Sequence, residues 1–402
     1  MTPVERRAIF SLASILSLRM IGLFMILPVF TLYTSQLLDA TPFLLGAAMG
    51  IYGLTQALFQ IPFGMLSDRV GRKKIIALGL IIFIIGSLIA GSAHTVTLMI
   101  IGRALQGAGA IGSTVIATMA DLTREEHRTK AMAIIGMTIG MSFSIAMILG
   151  PVLIAWITAG EIFWLAAGFG LIALIVLLVF VPQPEKVTWH PESEPDLHSF
   201  STILKNPALM RLNAGIFLLH AVFTASFVVI PISLKHLAGL HESQQWMLYF
   251  PILILAFGFT IPLIILAEKK QLLKKVFLSA ILILSVAELI LWHFAHNLLI
   301  SALSLLLFFT AFSLLEAFLP SLVSRTAPAA RKGTALGLYS CSQFLGIFVG
   351  GLLGGWLYGA FGLTDVYLFC LVLSITWIAI AFNMNNPQHQ KPIGELNHGK
   401  RR

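Results

Sequence analysis

Apolar runs of about bilayer-spanning length recur along this chain, at 8–33, 43–66, 75–93, 97–120, 129–156, 162–181, 207–234, 245–267, 276–294, 298–322, 333–358 and 365–385. A helix needs about 20 such residues to cross a hydrocarbon core, so these twelve runs each predict a span. Barrel strands would alternate apolar and polar residues, and these runs do not. Only 11% of the 402 residues are charged, against about 25% in a soluble domain. The expected fold is an all-α membrane protein of twelve transmembrane helices. The first run is longer than a signal-peptide core and lacks a small-residue cleavage site, so it is expected to stay as a span.

The net charge of +9 is topological in origin. With the N-terminus inside, 23 of the 26 Lys and Arg fall in the N-terminus, loops 2–3, 4–5, 8–9 and 10–11, the central linker and the tail. The exceptions are Arg19, Arg103 and Lys235. This positive-inside asymmetry places both termini in the cytoplasm, in a cell's inner membrane. Anionic lipid at that face is the expected contact of the basic surplus, and nucleic acid is not an expected partner. Cys341 and Cys370 lie within the last two runs, so neither a disulfide nor a metal site is expected.

Residues 182–206 are polar and Pro-rich and hold no span; His190 and His198 there lack a metal-ligand spacing. This cytoplasmic linker separates a six-helix half at 1–181 from another at 207–386, followed by a basic tail at 387–402. A constant offset of 203 maps Pro28 onto Pro231, Arg72 onto Lys275, Thr123 onto Thr326 and Arg128 onto Arg331. With an even number of spans in each copy, the two halves should be parallel and pseudo-symmetric.

Between runs two and three stands Gly64-Met-Leu-Ser-Asp68-Arg69-Val-Gly71-Arg72-Lys73-Lys74. Gly64 and Gly71 are expected to supply the two bends of a charged hairpin. The stretch resembles the loop 2–3 signature of the major facilitator superfamily. Gly102-Arg103-Ala-Leu-Gln106-Gly107 resembles that superfamily's Arg-x-x-Gln-Gly element, in which the arginine is tied to proton coupling. Gly136, Gly140, Gly150 and Pro151 resemble its helix 5 antiporter motif, here split, since Pro151 does not directly follow Gly140. Ser17-Leu-Arg19-Met, Gly50-Ile-Tyr-Gly-Leu-Thr-Gln56, Asp121-Leu-Thr-Arg-Glu125 and Gly333-Thr334 extend the likeness to the YajR-type group of the drug/proton antiporter branch. The resemblance implies that Arg72 bonds Asp121 while Asp68 meets the start of helix 11 near Gly333 and Thr334, forming a conformational latch with Arg69 and the two hairpin glycines. The second copy has Gln271 at the position of Asp68, with Glu268 nearby, so only the first half should carry a full latch. Some YajR-type relatives have a small soluble domain after helix 12; with a short tail ending at Arg402, none is expected here.

A charge inside a span costs a few kcal/mol and should face the bundle interior or a water-filled cavity. Arg19 reads either as a clamp between helices or as a substrate-cavity residue. Arg103 reads as a proton-coupling residue or a clamp. Gln56 and Gln60, one turn apart, suit interhelical hydrogen bonds or a cavity wall; Asn213 and Gln343 are further cavity candidates. Glu288 and Glu316 are the acids placed within spans, and His220 joins them as a proton-coupling candidate. Burial disfavours the charged form of a carboxylic acid, which suits reversible protonation. Glu288, one turn before Trp292, is expected toward the lipid boundary. Gly107, Gly136, Gly140, Gly150 and Pro151 are expected to serve close helix packing or gating.

The chain shows no phosphate loop, nucleophile–base set or metal cluster, so no enzyme and no cofactor is expected. Protons would be the coupling ion and a small molecule the substrate, in a protein functional as a monomer. The expected function is proton-coupled multidrug efflux by alternating access. The alternatives are an exporter or uniporter of a specific metabolite such as a sugar or siderophore, and a non-transporting membrane receptor.

Overall fold

A computed structural model describes residues 1–182, 203–328 and 331–383. Twelve helices there are long and apolar enough to cross a membrane: α1 (Pro3–Thr34), α2 (Pro42–Val70), α3 (Arg72–Gly91), α4 (Val96–Asp121), α5 (Lys130–Leu153), α6 (Ala159–Phe180), α7 (Pro207–His236), α8 (Glu242–Lys269), α9 (Leu273–Phe294), α10 (Leu298–Thr326), α11 (Lys332–Ala360) and α12 (Leu363–Phe382). Among the described residues no strand forms; one β-bridge joins Leu38 to Thr95. The bulk of the linker and the tail, with His190 and His198, lies outside the described residues.

The two sets of six helices pack alike. In the first, the principal neighbours are α1–α5, α1–α6, α2–α4, α3–α4 and α3–α6; in the second they are α7–α11, α7–α12, α8–α10, α9–α10 and α9–α12. Adding six to each helix number converts one set into the other. The sets meet along α2–α11, α1–α7, α2–α7 and α5–α8. α7 is the most enclosed helix, with 94% of its central window buried.

The two prolines at equivalent positions act differently. Proline lacks an N–H and clashes with the carbonyl four residues earlier. Ahead of Pro28 the helix breaks after Phe24 and resumes at Leu27. α7 runs unbroken through Pro231. There the carbonyl that Pro231 cannot engage, that of Phe227, accepts from Thr31 Oγ1 of α1 (3.3 Å). In an apolar medium such a carbonyl must find a partner, and the opposite half provides it.

Small residues set how closely the halves approach. A Cβ on Gly46 would fall against the Gly351 carbonyl and the Gly355 backbone, and one on Gly53 against the Phe344 carbonyl. Cys341 reaches the Ala57 carbonyl at 3.7 Å. These contacts run from the α2 N-terminus to its middle, at the end of the bundle away from the hairpin.

Candidate functional site

The hairpin is tighter than expected. α2 continues helically through Gly64, Asp68 and Arg69 to Val70. Gly64 is not a bend: it packs where Ser113 of α4 approaches, with Ser113 Oγ donating to the Gln60 carbonyl (2.9 Å). Gly71 alone makes the turn, at φ 109°, a conformation that side-chain-bearing residues rarely adopt. Arg72 opens α3 and donates through Nε to Asp121 Oδ2 (2.9 Å) and through Nη1 to Ser67 Oγ (2.7 Å); Asp68 completes the cluster as a second carboxylate on Arg72. Arg69 is exposed. No bond joins Asp68 to Gly333 or Thr334 among the described residues, and a Cβ on Gly333 would meet open space. The hairpin is thus assembled within the first half, while its contact with α11 is absent in this conformation.

α7, α10 and α11 bring three candidates together in the second half. The Gln343 amide donates to Glu316 Oε1 (3.2 Å) and to His220 Nε2 (2.9 Å). With His220 Nε2 accepting, its proton sits on Nδ1, facing the Ile216 carbonyl at 3.3 Å. Glu316 Oε2 lies 3.8 Å from His220 Nε2 and has no hydrogen-bond partner. The Glu316 side chain is 38% exposed, while its Oε2 is buried. Phe312 and Phe223 pack on His220, and Phe143 of α5 packs on both phenylalanines, putting this group at the boundary of the halves. Gly136 and Gly140, two turns and one turn before Phe143, are exposed and touch nothing a Cβ would meet. The close-packing role expected of these two does not hold here, because among the described residues nothing lies within reach of a Cβ at either.

In the first half, Arg19 and Arg103 reach the same turn of α2. Arg19 Nη2 donates to Gln56 Oε1 (2.8 Å). Arg103 donates to Gln106 Oε1 (2.8 Å), whose amide bonds Ser87 Oγ (2.8 Å). The Arg103 guanidinium stands 4.8 Å from the centre of the Tyr52 ring and 5.4 Å from that of Phe30; Arg19 stands 5.7 Å from that of Phe83. Gly107 packs on the Tyr52 carbonyl and Thr55, which is what lets α4 approach α2 so closely. Gly150, just ahead of Pro151, does the same for α5 against the Met25 carbonyl at the break in α1.

The remaining candidates stand apart. Glu288 does not face lipid. It is fully buried and accepts from Ser226 Oγ (2.8 Å), beside Cys370, because α7 and α12 enclose that face of α9. Asn213 is buried in the first turns of α7, its amide 4.0 Å from Met210 Sδ. Gln60 is buried with an unpartnered Oε1. A cavity of about 500 Å³ lies at the end away from the hairpin, lined by Tyr33, Gln36, Trp156, Glu161 and Glu242 among others. Among the described residues no cluster of three or more His, Cys, Asp or Glu could hold a metal ion.

Two contacts escaped sequence reasoning. Glu5 binds the Arg124 side chain (2.9 Å) and backbone (3.2 Å), tying the start of α1 to the loop after α4. Hydrogen bonding to Glu5, and then its charge, raise the Arg124 guanidinium above its ordinary value. The Thr2–Glu5 capping box was legible, but not the loop it would meet. In the second half Glu268 pairs with Arg325 (3.3 Å), joining the ends of α8 and α10.

The sequence profile described as Major Facilitator Superfamily matches residues 12–350, with a second, overlapping match at 271–398. The chain belongs to this superfamily. As a member it is a multi-pass membrane transporter, and the packing of two like six-helix sets is the superfamily's fold. It is 44% identical to the inner membrane transport protein YajR of Escherichia coli, over 97% of this chain and 86% of that one. It is 24% identical to the quinolone resistance protein NorA of Staphylococcus aureus, over 94% and 96% of the two chains. Among solved structures it resembles a bacterial homologue of the human lysosomal transporter Spinster in an inward-facing, occupied conformation (TM-score 0.79, 16% identity, 96% and 98% covered). It also resembles the human organic anion transporter MFSD10 (TM-score 0.70, 19% identity, 94% and 100% covered). At these identities the two structures speak for the fold alone.

Proposed function

We propose that this protein exports small, drug-like molecules in exchange for protons, by alternating access between its two halves. The observation that carries the reading is the Glu316–Gln343–His220 group: a partly exposed acid from α10, bonded to Gln343 of α11 and 3.8 Å from His220 of α7, where the halves meet. An acid so placed can exchange a proton with the interior space. Its protonation changes the bonds between α10, α7 and α11, the helices that also face substrate in this scheme.

The halves rock about a substrate held near the midplane. The charged hairpin marks the cytoplasmic end. In the conformation described here the α2–α11 glycine contacts close the opposite end, and Gly136, Gly140 and Gly333 stand clear at the hairpin end. In the alternate conformation Asp68, held ready by Arg72 and Asp121, meets the start of α11 at Gly333 and Thr334. A carboxylate at a helix N-terminus is worth about 0.3–1 kcal/mol, more when partly buried. The membrane potential supplies about 2.3 kcal/mol per charge per 100 mV, enough to break such a latch.

Proteoliposomes with an imposed pH gradient test this, with cationic and anionic dyes, sugars and siderophores compared for wild type and Glu316→Gln. The expected result is proton-driven movement of at least one drug-like compound, abolished in the variant. Movement indifferent to the gradient would discard proton coupling, and movement of a single sugar or siderophore would point to a specific exporter.

A further inference from the structure

Arg19 and Arg103 are 0% and 2% exposed. Among the described residues, neither takes part in an ion pair. Arg19 Nε and Nη1, Arg103 Nε and the Tyr52 hydroxyl are buried without any hydrogen-bond partner. Buried charges in proteins are normally paired, and in a bilayer an uncompensated guanidinium is costly. The neutral partners found, Gln56 and Gln106, and the faces of Tyr52, Phe30 and Phe83 offset part of that cost without supplying negative charge.

The missing element is an anion. Both cations converge on one turn of α2, Arg19 at Gln56 and Arg103 over the Tyr52 ring. That makes a set of free N–H and O–H donors with nothing to donate to. Aromatic rings wall it. Its cover is Phe344 of α11, edge-on to Tyr52 at 6.3 Å, at the seam where α2 and α11 meet. Parting of α2 from α11 would lift that cover and expose Tyr52 to the space between the halves. The acids within spans, Glu288 and Glu316, lie in the opposite half and are engaged with Ser226 and with Gln343.

We propose that Arg19, Arg103 and Tyr52 form an anion subsite, and that the substrate is an organic anion whose carboxylate or sulfonate is received there while its apolar part rests on the aromatic wall. The assignment builds on the transporter reading above and names the substrate class for it. Planar guanidinium forks suit such acids in a way a single ammonium would not.

Binding separates this from its rivals without requiring transport. Purified full-length protein in phosphatidylcholine nanodiscs is titrated with three probes of one shape: 2-naphthoate, 2-naphthamide and 2-naphthylmethylammonium. Wild type should prefer the carboxylate to the amide by about tenfold or more in Kd. Arg19→Gln and Arg103→Gln should each erase that preference while leaving amide binding unchanged, and the Lys variants should retain part of it. Tyr52→Phe, which keeps the ring under Arg103, should weaken naphthoate alone and serves if the Gln variants do not fold. Equal or tighter binding of the amide or ammonium by wild type would overturn the proposal, as would a preference that survives Arg19→Gln/Arg103→Gln. Displacement of naphthoate by phosphatidylglycerol in the nanodisc would assign the site to a lipid headgroup and overturn the soluble substrate. Dye movement in proteoliposomes is read separately. If dyes move but naphthoate shows no preference, the subsite falls and proton-coupled export stands; if naphthoate is preferred but nothing follows a pH gradient, the subsite stands and proton coupling falls.

Discussion

Gly46 sits in the α2–α11 seam that closes one end of the protein, and Gly46→Val should pry it open. A Cβ there would overlap the Gly351 carbonyl oxygen and the Gly355 backbone, atoms that cannot rotate away as a side chain would. The helices must separate or the closed state must carry the strain. Overpacking of this kind costs about 1–3 kcal/mol. The strain exists only where α2 and α11 touch, so it acts almost wholly on the equilibrium between conformations. At about 2 kcal/mol the closed population relative to the open one falls roughly thirtyfold. Spin labels at Phe43→Cys and Ala360→Cys, which lie on opposite sides of the seam at the end where Pro42 meets Gly359, would report it after Cys341 and Cys370 are replaced. The expected result is a short wild-type distance and a population shifted to longer distances in Gly46→Val. The same change at Gly136, where a side chain meets open space, should leave the short distance in place. A monodisperse Gly46→Val protein with the wild-type distance distribution would refute the reasoning.

Other outcomes follow from the same geometry. Asp68→Asn should slow transport while leaving membrane insertion and the Arg72–Asp121 bond intact; unchanged transport would remove the latch. A double-mutant cycle on Arg72→Gln and Asp121→Asn, read by thermal unfolding, should give a coupling of about 1 kcal/mol, since both side chains are only partly exposed (11% and 25%); additive effects would show the pair idle. Glu288→Gln keeps an acceptor for Ser226 in a fully sealed site, so proton-driven transport should survive it, in contrast to Glu316→Gln. Loss of gradient dependence in the Glu288 variant would move the proton carrier to α9.

The sequence by itself determined the number of spans, the helical class and the two-copy plan. Spans answer to a local requirement, about 20 apolar residues whose backbone bonds are satisfied within the segment, so no knowledge of neighbours is needed to find them. The Arg72–Asp121 bond was an expectation from the superfamily resemblance, and the structure forms it. Tertiary structure decided what each intramembrane polar residue does. Period and composition place Glu288 and Glu316 alike, yet α7 and α12 seal one against Ser226 while the other stays partly exposed and bonds Gln343 of α11. They also place Pro28 and Pro231 alike, yet only Pro231 has a hydroxyl from the other half, Thr31, to take up its orphaned carbonyl. Gly64 reads as a bend but lies within a helix, because Ser113 packs beside it. Such roles depend on which helix covers a given face, and that is set by contacts between segments far apart in sequence.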